Sequence, residues 1–357
     1  SLKTILYILN KGGTCILISH MGRPKGYEKK LSLKNIVAEF EKLLNKKITF
    51  LGDCVGDKIK KACQESKKGD VILLENLRFY PEEEAGEMNF ARVLSVLGDI
   101  YINDAFGTAH RNHASTGILP SFFKGKKAMG LLLSKEVGAI EKFLKKGQNP
   151  ILSIIGGAKV SSKIEILKSL ISVVDDLIIG GGMAYTFIKA NGGEIGNSLC
   201  EEAFLDEAQK ILLLAKNKNV KVHLPLDIIA SEKFSNTSIT DTVNIYKIPK
   251  SMEGLDIGPL SIKKFDEIIL NSKTILWNGP MGVFEMSNFQ NGTKQIALSI
   301  ANATKLWAFS LVGGGDSISA IKLFGMENTF SYISTGGGAM LESIEGKVLP
   351  GIKAILN

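Results

Sequence analysis

The chain has 357 residues, of which 45% are hydrophobic and 22% charged, with a formal net charge of +8. That length suits about two domains, each with its own core. No apolar run reaches the roughly 20 residues of a membrane span. The lysines are scattered, with no aromatic and basic repeat, so the excess charge argues against nucleic acid and for anionic small molecules. Residues 1–10 lack the parts of a signal peptide. Cys15, Cys54, Cys63 and Cys200 make neither a C-x-x-C pair nor a zinc spacing. A reducing cytoplasm is expected.

The chain opens on Leu2, Ile5, Leu6 and Leu9, one face of a helix that begins at the first residue. A start in mid-element leads us to expect that residues precede Ser1. Apolar runs at 15–19, 48–51, 71–75 and 100–104 read as strands separated by helical patterns, the alternation of an α/β fold with parallel sheets. Between the first two, Ser32 can cap a helix with Leu33, Ile36, Val37, Phe40, Leu43 and Leu44 on its apolar face. Glu82-Glu83-Glu84 reads as a solvated helix start favoured by the helix dipole. The stretch 134–146 has charged ends around Val137, Ile140, Phe143 and Leu144 and breaks at Gly147, as a spacer helix would. Beyond it, strands are expected at Ile151, Leu177, Val220, Thr274, Leu306 and Tyr332, with helices over 161–174, 201–216, 261–270 and 290–303.

Apolar runs end in glycine clusters at Gly156-Gly157, Gly180-Gly181-Gly182, Gly313-Gly314-Gly315 and Gly336-Gly337-Gly338. Glycine lets a ligand approach the main chain, and the first N–H groups of a helix favour anions. Several such corners along one sheet edge would form a polyphosphate pocket. After the first corner come Lys159 and Lys163, whose spacing on a helix start would put both ammonium groups on one face. Asp316, directly after Gly315, is a natural Mg²⁺ anchor beside bound phosphates, or simply a helix cap. Glu285 could accept from ribose hydroxyls. In the first half, basic residues follow the apolar runs in Ser19-His20-Met21-Gly22-Arg23-Pro24, in Glu75-Asn76-Leu77-Arg78-Phe79, and in the stretch from Asp104 to His110-Arg111. Loops of this kind gather at the carboxyl ends of parallel strands, and several arginines there imply a small polyanion. His20, His110 and His113 fit better as hydrogen-bonding members of such a site than as metal ligands. A Walker A sequence and the signatures of a nucleophile and base are absent.

These stretches, together with 276–285 and 334–338, occur in an order that closely resembles the phosphoglycerate kinase family from end to end. The resemblance implies two doubly wound (Rossmann-like) parallel-sheet domains joined by a helix: a triose-phosphate-binding domain over 1–133 with 347–357 packing back onto it, the helix 134–146, and a nucleotide-binding domain over 147–346. It implies reversible transfer of the acyl phosphate of 1,3-bisphosphoglycerate to ADP in glycolysis, giving 3-phosphoglycerate and ATP, in a cytoplasmic monomer whose domains close on their substrates. His20, Met21, Gly22, Arg23, Arg78 and Arg111 match triose-phosphate ligands. Ala158, Lys159, Lys163, Gly180, Gly181, Gly182, Leu199, Gly254, Leu255, Asn278, Glu285, Gly313, Gly314, Gly315, Asp316 and Ser317 match the nucleotide site, with Gly180–Gly182, Leu199, Gly254, Leu255, Asn278 and Glu285 on the adenosine side. Lys163, Gly315 and Gly338 match the catalytic groups, Thr335 and Gly336 flank the last of these, and Asp316 matches the Mg²⁺ ligand. Ser162 stands where the family often has an acid. The family's first strand and turn carry an Asp, an Asn and an Arg for the triose, and this sequence starts after them, so a shortened chain of weak or no activity is expected. A dinucleotide-binding dehydrogenase would also explain glycine corners, but Gly-x-Gly-x-x-Gly occurs at none of them and the paired lysines would have no task. A nucleotide-binding scaffold without turnover is the other alternative.

Overall fold

A computed structural model describes residues 1–357. They fall into two compact units, 1–137 with 348–357, and 138–347. The helix Leu131–Lys146 spans the division and begins three residues before the expected 134. No helix is long and apolar enough to cross a membrane.

In the first unit the expected strands form but are short. β1 (Cys15–Leu17), β2 (Thr49–Phe50) and β3 (Val71–Leu73) pair in parallel in the order β1-β3-β2. β4 (Tyr101–Asn103) pairs in parallel with β5 (Lys127–Met129), a strand the sequence did not signal. Ile5 from the helix Leu2–Asn10 packs with Cys15, Leu33, Leu44, Val71 and Leu73. The helix after Ser32 starts as a 3₁₀ turn, Leu33–Ile36, with the Ser32 hydroxyl accepting from Lys34 N, and turns α-helical only over Val37–Leu44. Its buried face is narrower than periodicity suggests, since Ile36 and Leu43 are exposed. The final helix, Pro350–Leu356, belongs to this unit: Gly351 N donates to Ala109 O at 2.9 Å and Lys127 Nζ to Ala354 O at 2.8 Å.

The second unit is built on a six-stranded parallel sheet. Its strands are β6 (Ile151–Ile155), β7 (Asp176–Ile179), β9 (Lys221–His223), β14 (Thr274–Asn278), β15 (Phe309–Gly313) and β16 (Tyr332–Ile333), in the order β16-β15-β14-β6-β7-β9. β6 and β14 are buried at every position, as expected of central parallel strands covered on both faces. Leu152, Ile154, Trp277 and Val312 from the sheet pack against Phe265, Ile269, Ile296 and Ile300 from the helices Pro259–Asn271 and Asn291–Lys305. β8 (Glu194–Ile195) pairs with β12 (Lys247–Ile248), and β10 (Asp227–Ser231), β11 (Thr240–Asn244) and β13 (Glu253–Ile257) form an antiparallel sheet that the sequence reading did not anticipate. The strand expected at Leu306 begins only at Phe309, because Leu306 and Trp307 form an exposed turn in which Trp307 has φ 77°.

Candidate active site

In the first unit, three loops at the ends of short strands bring His20, Arg78, His110, Arg111 and His113 into one electrostatic neighbourhood. Burial, with Arg78 and His113 adding to it, pushes the His20 imidazole down to about 4. His113 is likewise lowered, by burial first and then by Arg78. At neutral pH His20 is therefore an uncharged hydrogen-bonding group, and the positive charge comes from the guanidinium groups. Arg78 is only 12% exposed. Its Nη1 donates to Gly22 O at 2.8 Å, and its Nε lies 3.3 Å from Glu84 Oε1. Arg111 is exposed and donates from Nε to His110 Nε2 at 3.1 Å. Arg23 is exposed on the loop of Met21 and Gly22, adjacent to the carbonyl that Arg78 holds.

The acidic run beside this cluster differs from the sequence expectation. Glu83 is buried, not solvated. It accepts from Ser115 N at 2.9 Å and Ser115 Oγ at 2.5 Å, and its carboxylate lies 3.9 Å from His113 Nδ1. Burial raises its pKa. The helix Pro81–Ala85 turns Glu83 inward, so this carboxylate ties the His113–Ser115 turn to the segment after Arg78. Helix-start composition alone could not show which of three adjacent acids points into the protein.

In the second unit, the glycine corners after β6, β14 and β15 and the start of the Gly337–Ile344 helix line a cleft of about 430 Å³. Lys159, Lys163, Asn278, Gly314, Gly315, Asp316 and Gly338 border it. Two helices begin here, Gly315–Leu323 and Gly337–Ile344, and their unpaired N–H groups carry partial positive charge. Lys159 and Lys163 share the cleft for a different reason from the one their spacing suggested. The helix starts only at Ile164, so the pair is not on a helical face. Residues 158–163 instead form turns, closed by Lys163 N to Val160 O at 2.7 Å and anchored by Glu201, which accepts from Ser161 N at 2.9 Å and Ser161 Oγ at 2.6 Å.

Lys163 is half-buried, and burial lowers its pKa while Asp316 and then Glu345 oppose the shift. Its Nζ hydrogen-bonds to Asn278 Oδ1, and Asn278 Nδ2 donates to Gly313 O at 2.8 Å. Asn278 thus borders the lysine and glycine cleft. Ser317 is buried, and its hydroxyl accepts from Gly279 N at 2.7 Å, so it fixes the loop after β14. Gly182 packs against Leu199 and against Ala158 of the cleft wall, and Gly254 against the Tyr185 hydroxyl. Leu255 is buried, with its carbonyl accepting from Val283 N at 2.9 Å, and Glu285 is exposed on the following loop.

Residues 1–347 match the family described as Phosphoglycerate kinase. The chain belongs to the phosphoglycerate kinase family. It is therefore a kinase of glycolysis that binds ATP, and the dehydrogenase alternative falls. The phosphoglycerate kinase of Dictyoglomus turgidum is 47% identical over 355 residues, covering 99% of this chain and 89% of the relative. That of Aquifex aeolicus is 45% identical over 350 residues, covering 98% and 87%. Among solved structures, the phosphoglycerate kinase of Coxiella burnetii superposes with a TM-score of 0.91 at 38% identity, covering 99% of this chain and 89% of the other. The enzyme of Pyrococcus horikoshii gives 0.80 at 28% identity with the same coverage. The two parallel-sheet α/β bodies are thus the fold of phosphoglycerate kinases.

Proposed function

We propose that this phosphoglycerate kinase divides its reaction, transfer of the acyl phosphate of 1,3-bisphosphoglycerate to ADP, between the two clusters. The arginine cluster of the first unit would take the triose phosphate through Arg23, Arg78 and Arg111, with His20 as a neutral hydrogen-bonding partner. The cleft of the second unit would take the nucleotide phosphates. Phosphoryl transfer asks the protein for alignment and for positive charge on the equatorial oxygens, with little covalent chemistry. Lys163 and the N–H groups at Gly315 and Gly338 would supply that charge, with Lys159 holding a neighbouring phosphate. The adenosine would lie toward Gly180–Gly182, Leu199, Gly254 and Glu285. We further propose that the protein acts as a cytoplasmic monomer with neither membrane nor nucleic acid as partner.

Mg²⁺ fits the donor set. Asp316 is an exposed carboxylate at the cleft, close enough to Lys163 to oppose the lowering of that lysine's pKa by burial. Mg²⁺ is commonly held by one or two carboxylates plus substrate phosphates. Asp316 would therefore hold it only together with a nucleotide, and the ion would neutralise phosphate charge. The residues of this chain would orient the phosphates and keep the lysine charged.

The observation carrying this reading is the meeting of Lys159, Lys163, Asp316 and two helix starts on one cleft. Calorimetric titration with MgADP tests it. MgADP should bind, Asp316→Ala should weaken MgADP far more than ADP in EDTA, and Lys159→Ala should weaken both. Equal loss for ADP with and without Mg²⁺ in Asp316→Ala would remove the metal role.

A further inference from the structure

Asn76 stands between the loop of His20 and Arg23 and the turn of Arg78, and it is fully buried. An asparagine side chain offers two donors and an acceptor oxygen with two lone pairs. Here every one of them is spent on the main chain of those segments. The Oδ1 accepts from Met21 N at 3.2 Å and from Arg78 N at 3.0 Å. The Nδ2 donates to Met21 O at 2.8 Å and to Leu31 O at 2.9 Å. The amide therefore pairs with Met21 as a neighbouring strand would, and it grips the chain again at Leu31. The intervening excursion carries Arg23.

The preceding residue closes the same excursion further on. Glu75 is buried, with Oε2 accepting from Ser32 Oγ at 2.6 Å and Oε1 from Leu33 N at 2.8 Å and Asn76 N at 2.7 Å. Arg78 Nη1 completes the link by donating to Gly22 O. The residues from Gly22 to Lys30 are exposed or half-buried, and apart from the ring contact of Tyr27 with Phe79, centroids 5.0 Å apart, polar contacts hold this loop. We propose that Asn76, braced by Glu75, is the positioning residue of the arginine cluster: its amide sets the loop of His20 and Arg23 in register with the turn of Arg78. Asn76 has no path to the anion itself and acts through the groups it holds. Misplacement of a binding group by about 1 Å can cost as much as a hundredfold in rate. The proposal rests on the assignment of the cluster to the triose phosphate.

Steady-state kinetics of the protein, run from 3-phosphoglycerate and MgATP, test it. Asn76→Asp keeps the shape and both acceptor contacts but loses the two donors, leaving oxygen against Met21 O and Leu31 O. The expected result is a rise of at least tenfold in KM for 3-phosphoglycerate, with KM for MgATP within twofold. Loss of active protein would instead lower kcat at unchanged KM for both substrates, and that result overturns the proposal. Should Asn76→Asp fail to fold, Ser32→Ala removes one donor from the Glu75 brace. It should raise the same KM two- to fivefold and leave the other alone; no change there also overturns the proposal. Arg78→Ala separates the two ideas. If it leaves KM for 3-phosphoglycerate unchanged, the assignment of the cluster fails. If it raises that KM while Asn76→Asp does not, only the positioning role fails.

Discussion

Lys163 shows what burial asks of a single charged residue in the cleft of the second unit. A lysine withdrawn from water resists charging, and Asp316 and Glu345 are the carboxylates that counter that resistance. Its ammonium group is held by Asn278 in the cleft where two helices start, and the proposed function puts developing phosphate charge there. Losing one preorganised electrostatic group typically costs about 100- to 1,000-fold in kcat. Lys163→Ala should therefore lower kcat by at least about a hundredfold, with 3-phosphoglycerate affinity preserved. A two- or threefold fall in a coupled assay would take Lys163 out of the central role. Asp256 poses the opposite problem, a carboxylate with no cation beside it. It accepts from Gly292 N at 2.6 Å and Ile257 N at 2.9 Å, yet burial pushes it up to about 7. Between roughly pH 4 and 7 the native state then keeps a proton that the unfolded chain, with an ordinary carboxyl near 3.9, has lost. Stability must fall as pH rises through that window and level off above it. Urea midpoints should decline from pH 5 to 7 in the native sequence and decline less in Asp256→Asn. Equal slopes would show that Asp256 is ionised in both states.

The glycine corners show how far elements can be read from a sequence and where that reading stops. Apolar runs ending in glycine marked β6, β7 and β15, because inner parallel strands need continuous apolar surface on both faces, and a shorter run marked the half-buried edge strand β16. What the glycines do is not uniform. At Gly279, φ is 100° and an added Cβ would lie 2.2 Å from Gly156 O; at Gly181, φ is 66° and it would lie 2.6 Å from Gly157 N. Those two serve backbone packing between neighbouring loops. Only a position such as Gly315, with nothing within 4 Å, leaves space for a ligand. Gly279→Ala should therefore destabilise the second unit by at least about 2 kcal/mol, combining strain at positive φ with a main-chain clash. Gly315→Ala should shift stability by less than about 1 kcal/mol and act mainly on nucleotide affinity. Urea unfolding and MgADP titration of both variants separate the two kinds of glycine. Other elements were hidden for physical reasons. β11, Thr240–Asn244, is polar and mostly exposed, and its conformation comes from pairing with β10. β13 carries Glu253 and Asp256, whose burial depends on tertiary partners. Leu306 and Trp307 misled in the other direction, since Trp307 is apolar yet 93% exposed. In the clusters, loop positions gave Lys159, Lys163, Asp316 and the arginines. The inward turn of Glu83 and the amide contacts of Asn76 depend on segments far apart in sequence, which no local pattern encodes.

For the whole molecule, the two clusters predict where each ligand should be felt. A ligand that binds only the folded state stabilises it by about 2.7 kcal/mol at a hundred times its Kd, and the protection from amide exchange is greatest at the segments it touches. MgADP should slow exchange at 156–163, at 313–317 and at 336–338, the turns and helix starts that border the cleft. 3-Phosphoglycerate should act instead on 19–24, 76–79 and 110–113, the loops of His20, Arg78 and Arg111 whose charges already influence one another. Hydrogen–deuterium exchange of the enzyme with each ligand in turn reads both maps at once. Because both ligands are anions and the chain carries +8, a control with sulfate at equal ionic strength is needed to remove general electrostatic stabilisation. Protection by MgADP that appears at Arg78 and spares 313–317 would contradict the assignment of the nucleotide to the lysine cleft. Protection by 3-phosphoglycerate no greater than that by sulfate would show that the arginine cluster recognises charge alone and not the triose.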